Sequence, residues 1–139
     1  MFKGVTFNKA PFTLLKIVSG INAKRVSYQS ITYDPAHQLS LDFYPSALAG
    51  YKPCIIVIHG GSWAGGDSRQ LPELNSELAK SGYHVASINY RLAPKNIYPS
   101  TTEDVQSALR FLRSRASHLF IDTNKFVLLG RSAGGQVAL

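Results

Sequence analysis

A single cysteine among 139 residues leaves no partner for an internal disulfide, so no covalent staple holds the fold and the redox compartment stays open. That residue lies in Cys54-Ile55-Ile56-Val57-Ile58, where a cysteine is a small buried hydrophobe and not a nucleophile. Long apolar runs are also missing. The stretch Phe12-Thr13-Leu14-Leu15-Lys16-Ile17-Val18 is too short and too interrupted to be a stable membrane span. No small-residue cleavage pattern follows a basic head, so a signal peptide is not expected and a cytoplasmic setting is the default. Acidic residues are scarce, 8 against 15 Lys and Arg, for a net charge of +7. The basic residues are nevertheless scattered from Lys3 to Arg131, and the densest group, Arg110, Arg113 and Arg115, has the spacing of a solvated helix face. Aromatic residues are not interleaved with them as single-strand binding requires, so no nucleic-acid partner is expected. Repeats and low-complexity tracts are absent. What remains, 45% hydrophobic and 17% charged, suits one packed domain.

The patterning divides the chain into an irregular or helical lead-in over residues 1–24 and a domain portion over 25–139. Polar and apolar residues alternate from Arg25 to Thr32 and again from Leu39 to Tyr44, with the turn chemistry of Asp34-Pro35-Ala36-His37 between them, which predicts an antiparallel hairpin. Cys54 to Ile58 is a continuous β-branched run, as in a parallel strand covered on both faces. Leu71, Leu74 and Leu78 mark a helix ended by Gly82. His84 to Ile88 is a second short apolar strand, and Tyr90 to Pro99 a loop. Thr101 or Thr102 is suited to cap a helix with the apolar face Val105, Ala108, Leu109 and Leu112. Asp122-Thr123-Asn124 reads as a turn before a third buried strand, Phe126 to Leu129. A hairpin followed by β-α-β-α-β predicts an α/β fold with a mostly parallel sheet.

Two glycine-rich segments carry chemistry. Gly130-Arg131-Ser132-Ala133-Gly134-Gly135 follows the third strand and opens a helix from Ala133 onward. Such a sharp strand-to-helix turn strains its central residue and stands the Ser132 hydroxyl out at the strand end, near a helix N-terminus that favours developing negative charge. His59-Gly60-Gly61-Ser62-Trp63 follows the first buried strand. There, glycines let the main chain turn its amides toward an oxyanion, as acyl transfer requires. The His59 ring suits bracing of this loop better than general-base work. Trp63 fits a pocket wall and loop packing equally.

These two motifs, with Asn89-Tyr90-Arg91-Leu92-Ala93-Pro94 and Glu103-Asp104-Val105 between them, resemble the α/β-hydrolase family. Within it the chain is most similar to the esterase branch of hormone-sensitive-lipase-like, feruloyl and acetyl-xylan esterase-like and kynurenine formamidase-like enzymes. The resemblance runs from about Val26 to Leu139 and implies the N-terminal part of an α/β-hydrolase fold. It further implies hydrolysis of a small-molecule carboxylic ester through an acyl-serine intermediate, with no metal or organic cofactor. Carried over residue by residue, Ser132 matches the nucleophile. The oxyanion donors would be the N–H groups of Gly61, Ser62 and Ala133, Ser62 standing where the lipase-like branch commonly has glycine. Trp63 and Tyr90 are candidate substrate contacts. Arg91 and Asp104 suggest a structural brace, and Arg131 stands where relatives often carry an acid.

In this fold the catalytic triad runs in chain order Ser, then Asp or Glu, then His. Only 7 residues follow Ser132, none acidic or histidine, and all 4 histidines (His37, His59, His84, His118) precede it. The expectation is a fragment or truncated product whose serine has no base, inactive alone, with Phe126 to Leu129 an unpaired edge prone to aggregation. An amidase, arylformamidase or serine peptidase of the same fold, or an inactive remnant that binds through its half-site, are the competing readings. Acyl chain, alcohol portion and oligomeric state leave no mark on this sequence.

Overall fold

The computed structural model describes residues 24–139, so the lead-in expected over 1–24 lies, apart from Lys24, outside the described residues. Among the described residues five strands form one sheet, in the order first, second, fourth, third, fifth by chain position. The hairpin is β1 (Gln29–Asp34) and β2 (Leu39–Tyr44), paired antiparallel. The strand expected from Arg25 begins four residues later, because Arg25 and Val26 are spent on a helix: Arg25 pairs with Glu73, and the Val26 N–H donates to Ser76 Oγ at 3.0 Å. The intervening turn is closed by Asp34, whose carboxylate accepts the His37 N–H at 3.3 Å.

Beyond the hairpin, β3 (Lys52–Ile58), β4 (His84–Ile88) and β5 (Ile121–Gly130) run parallel to one another. The unbroken apolar run of β3 has a direct cause in the layering. Cys54, Ile56 and Ile58 face α2 (Ser100–Ser114) in a cluster with Val105, Ala108 and Leu112. Ile55 and Val57 face α1 (Pro72–Lys80) in a second cluster with Leu78 and Ala79. A strand with helices on both faces has no polar side to alternate with. Gly82 (φ +98°) follows the end of α1 as the sequence predicts, since a left-handed residue there favours glycine.

Three expectations are corrected. Neither Thr101 nor Thr102 caps α2; Pro99 holds the N-cap position, and the Thr101 hydroxyl reaches the Arg91 carbonyl at 3.4 Å. A further short helix, α3 (Ala116–Leu119), precedes β5. The turn at Asp122-Thr123-Asn124 does form, with the Asn124 N–H on Asp122 Oδ1 at 3.0 Å, yet it is a bulge within β5 and not its boundary. Ile121 stands opposite Lys52 and Phe126 opposite Cys54, so the residues between loop out of register. Nor is Phe126 to Leu129 buried; it takes the edge position also expected of it, since among the described residues β5 ends the sheet, with Val127 45% and Leu128 39% exposed.

Candidate functional site

Register decides where the two glycine-rich segments end up. β3 and β5 are parallel neighbours, and Ile58 stands opposite Gly130, so the chain leaves both strands at one level of the sheet. The Arg131 N–H extends the ladder by one bond, to the Ile58 carbonyl at 3.1 Å. The oxyanion-loop candidate 59–63 and the serine turn 130–135 therefore emerge side by side at the C-terminal ends of parallel strands, where α/β sheets place their sites.

At Ser132 the backbone has φ 52° and ψ −119°, a conformation L residues adopt only when the surroundings force it. Three contacts force it. A Cβ on Gly130 would lie 2.1 Å from the Gly134 carbonyl oxygen, and one on Gly134 would lie 2.2 Å from that of Ile58. The Gly134 N–H returns to the Arg131 carbonyl at 2.9 Å, closing the turn into α4 (Ala133–Ala138). Ser132 is left exposed at the apex. Among the described residues its side chain hydrogen-bonds to no histidine or carboxylate.

The facing loop is equally strained. Gly61, Ser62 and Trp63 all have positive φ, at 133°, 51° and 61°. Gly61 must be glycine, since a Cβ there would come within 2.2 Å of the Gly65 carbonyl oxygen. The Gly61 carbonyl turns back to accept the Ala64 and Gly65 N–H groups at 3.0 and 3.1 Å. Among the described residues the N–H groups of Gly61, Ser62 and Ala133 donate to no protein acceptor. Gly60 brings the two segments into contact: a Cβ on it would sit 2.9 Å from the Arg131 carbonyl oxygen and 3.2 Å from Ser132 Cβ.

His59 is 2% exposed and lies under this loop, its Nδ1–H donating to the Gly60 carbonyl at 2.8 Å. Burial pulls its pKa below the ordinary imidazole value, against the opposing pulls of that carbonyl and of Asp67. It is therefore a neutral brace, as the sequence suggests. Tyr90, a candidate substrate contact, is placed elsewhere. It is buried, stacked on the His59 ring at 4.2 Å, with its hydroxyl donating to the His59 carbonyl at 2.8 Å. A phenol so committed supports the loop from below and has no free group for a ligand. Trp63, by contrast, is 41% exposed and lines an open cavity of about 600 Å³ with Ser62, Asn96, Tyr98 and Gln136.

The brace at Arg91 is present. Asp104, 1% exposed, accepts the Arg91 N–H at 2.8 Å and its Nε–H at 2.9 Å, which fixes the loop after β4 to α2. That ion pair holds the Arg91 guanidinium above its usual pKa. Sequence reasoning passes over two further supports. Gln70 hydrogen-bonds both main-chain groups of Gly60, each at 3.1 Å. The segment leading to it is pinned by a buried polar group, Ser68 donating to Asp42 at 2.7 Å and receiving its own N–H partner in Asn89 Oδ1 at 2.9 Å. Of these residues only Asn89 lies in a motif; the signal for Ser68 and Gln70 is that polar residues cluster just after a glycine loop. Cys54 is inert here, its thiol pushed up to about 12 by burial.

A strained serine turn beside a loop of unpartnered amides, on this sheet order, defines a class, the α/β-hydrolases of the esterase type. The family described as BD-FAE matches residues 41–139, and the chain belongs to that family. It is 29% identical over 116 residues to carboxylesterase NlhH of Mycobacterium tuberculosis, covering 82% of this chain and 36% of that protein. It is 32% identical over 119 residues to ethyl acetate hydrolase of Pseudomonas putida, covering 81% and 37%. Among solved structures, esterase 2 of Thermogutta terrifontis superposes with a TM-score of 0.75 at 27% identity, covering 80% of this chain and 42% of that one. A bacterial heroin esterase gives 0.76 at 29%, covering 90% and 41%. The chain thus spans little more than a third of the curated relatives' length.

Proposed function

We propose that this chain supplies the nucleophile and the oxyanion hole of a serine hydrolase of carboxylic esters, with Ser132 attacking the acyl carbon. The N–H groups of Gly61, Ser62 and Ala133 stabilise the tetrahedral intermediate. The observation that carries this reading is the pairing of a forced conformation at Ser132 with amides across from it that have no protein acceptor. A main chain that leaves donors unsatisfied beside a strained hydroxyl fits an anionic intermediate better than a resting loop. Trp63 forms a wall of the substrate cavity, whose lining carries no ionised side chain and so favours an uncharged small-molecule ester over a nucleic acid. The arginines agree, since Arg113 and Arg115 lie over the rings of Phe126 and Phe111 and do not form a phosphate track. Among the described residues no helix is long and apolar enough to cross a membrane. A cytoplasmic setting completes the proposal and is checked by cell fractionation.

With no base on Ser132 the chain alone is expected to form an adduct slowly and to turn over no ester. Esterase 2 of Thermogutta terrifontis has been captured phosphorylated by paraoxon, which makes an organophosphate the appropriate probe. Intact-mass analysis after incubation should show one adduct, mapped to Ser132 and lost in Ser132→Ala. An adduct that survives Ser132→Ala contradicts the reading.

A further inference from the structure

We propose that Gln70 is a positioning residue that sets the direction of the Gly61 N–H, and that it ties this setting to the serine turn through Arg131. The proposal rests on the assignment of Gly61 as an oxyanion donor. Its basis is the planarity of the peptide bond. The carbonyl of Gly60 and the N–H of Gly61 belong to one trans peptide unit, so they point in opposite directions and move together. Whatever holds the Gly60 oxygen therefore aims the Gly61 N–H.

Two donors hold that oxygen: Gln70 Nε2 at 3.1 Å and His59 Nδ1 at 2.8 Å. The same Gln70 amide accepts the Gly60 N–H at 3.1 Å through Oε1, so both peptide planes flanking Gly60 are fixed by one side chain. Gly66 packs closely against this clamp, leaving no room for a side chain: a Cβ there would meet the Gly60 oxygen at 2.3 Å and Gln70 Nε2 at 2.7 Å. The other face of Gly60 rests on Arg131 and Ser132. Gln70 Oε1 also accepts from Arg131 Nη1 at 3.4 Å, a link from the residue preceding the nucleophile to the clamp that aims its oxyanion donor. Glycine on its own would let the 60–61 unit rotate. The amide removes that freedom from the side opposite the substrate.

The two ends of the Gln70 amide do separate work, which a pair of variants resolves. Gln70→Leu removes both. Gln70→Glu keeps the acceptor for the Gly60 N–H and loses the donor to the Gly60 oxygen, until protonation of the introduced carboxyl supplies an O–H donor in its place. The full chain is labelled with a fluorophosphonate at a fixed imidazole concentration. The Ser132 Oγ–P bond forms, the P–F bond breaks with loss of fluoride, and the proton passes to imidazole. Each variant rate is divided by that of the parent at the same pH, so the titration of imidazole cancels.

At pH 7.5 both variants should label about 10- to 100-fold more slowly than the parent, less than the roughly 100- to 1000-fold loss that outright removal of an oxyanion donor causes, because the Gly61 N–H is misaimed and not deleted. As the pH is lowered toward 4.5 the Gln70→Glu ratio should climb back toward one, while the Gln70→Leu ratio stays low. Parent-like labelling by both folded variants at pH 7.5, or a Gln70→Glu ratio independent of pH, overturns the proposal. Hydrogen exchange at the Gly60 N–H is read in parallel. It should be protected in the parent and in Gln70→Glu and fast in Gln70→Leu, and an unprotected Gly60 in the parent also overturns the proposal. Absence of Ser132 labelling in the parent would instead fault the nucleophile assignment, with the exchange measurement still deciding the clamp.

Discussion

A methyl group at position 134 would have to share space with the Ile58 and His59 carbonyl oxygens, at 2.2 and 2.6 Å, and backbone on both sides leaves no flexible side chain to give way. Gly134→Ala should therefore lower stability by about 3 kcal/mol, the upper range for overpacking, and distort the turn under Ser132. Urea denaturation measures the first effect, and loss of the organophosphate adduct the second. The imidazoles make a separate prediction. Burial is the chief reason that His59 and His84 both titrate below the ordinary value, with Lys52 adding to the effect at His84. Neutral His84 accepts the Ser46 N–H at 3.0 Å on Nδ1 and donates from Nε2 to the Phe120 carbonyl at 3.0 Å, a pair of bonds that imidazolium cannot make. The unfolded chain thus takes up protons that the folded chain resists. Stability is complete above the unfolded value of about 6.5 and falls as the pH drops below it toward the folded pKa values. Thermal midpoints should decline between pH 7.5 and 5, less steeply in His84→Asn; a flat profile would contradict the assignment of neutral, buried rings.

Between elements, a buried carboxylate ties Arg91 to Asp104 and joins the loop after β4 to the first turns of α2. Asp104→Asn removes the buried one of the two carboxylates paired with Arg91, Glu103 at 3.1 Å remaining, and should cost about 2 kcal/mol in chemical denaturation, the range for hydrogen bonds to a charged group. Elements whose identity rests on local pattern were legible in the sequence. β2 and β4 match their predicted bounds because a strand covered by packing carries its pattern in every residue. Ser132 and the 59–63 loop were legible because backbone strain demands glycine at fixed offsets. Features that depend on nonlocal partners were not. β1 starts late because Arg25 and Val26 engage α1, forty-eight and fifty residues away in sequence. An apolar run such as Phe126 to Leu129 looks the same whether it is interior or edge; the run alone reads as buried, whereas the edge also expected of it is what the sheet order shows. Gln70 is invisible for a similar reason: its partners are main-chain atoms ten residues earlier, and main-chain atoms have no sequence signature.

At the scale of the whole molecule, the sheet among the described residues ends at β5. Its outer edge has Val127 and Leu128 exposed, adjacent to the turn that carries Ser132. Such an edge is a template for pairing with other chains. Val127→Lys places a charge on it and should raise the soluble fraction and suppress concentration-dependent light scattering, with no loss of the Ser132 adduct; unchanged scattering would locate the association surface elsewhere. The fold thus brings Ser132 and the 59–63 loop side by side in a chain that spans little more than a third of the length of these two relatives. The described residues place no base on that nucleophile. Ser132 is proposed as a nucleophile that needs only a proton acceptor. The rate of its organophosphate modification as a function of added imidazole tests this most directly. The rate should rise in proportion to imidazole and vanish in Ser132→Ala. Modification that ignores imidazole, or that persists without the serine, would contradict it.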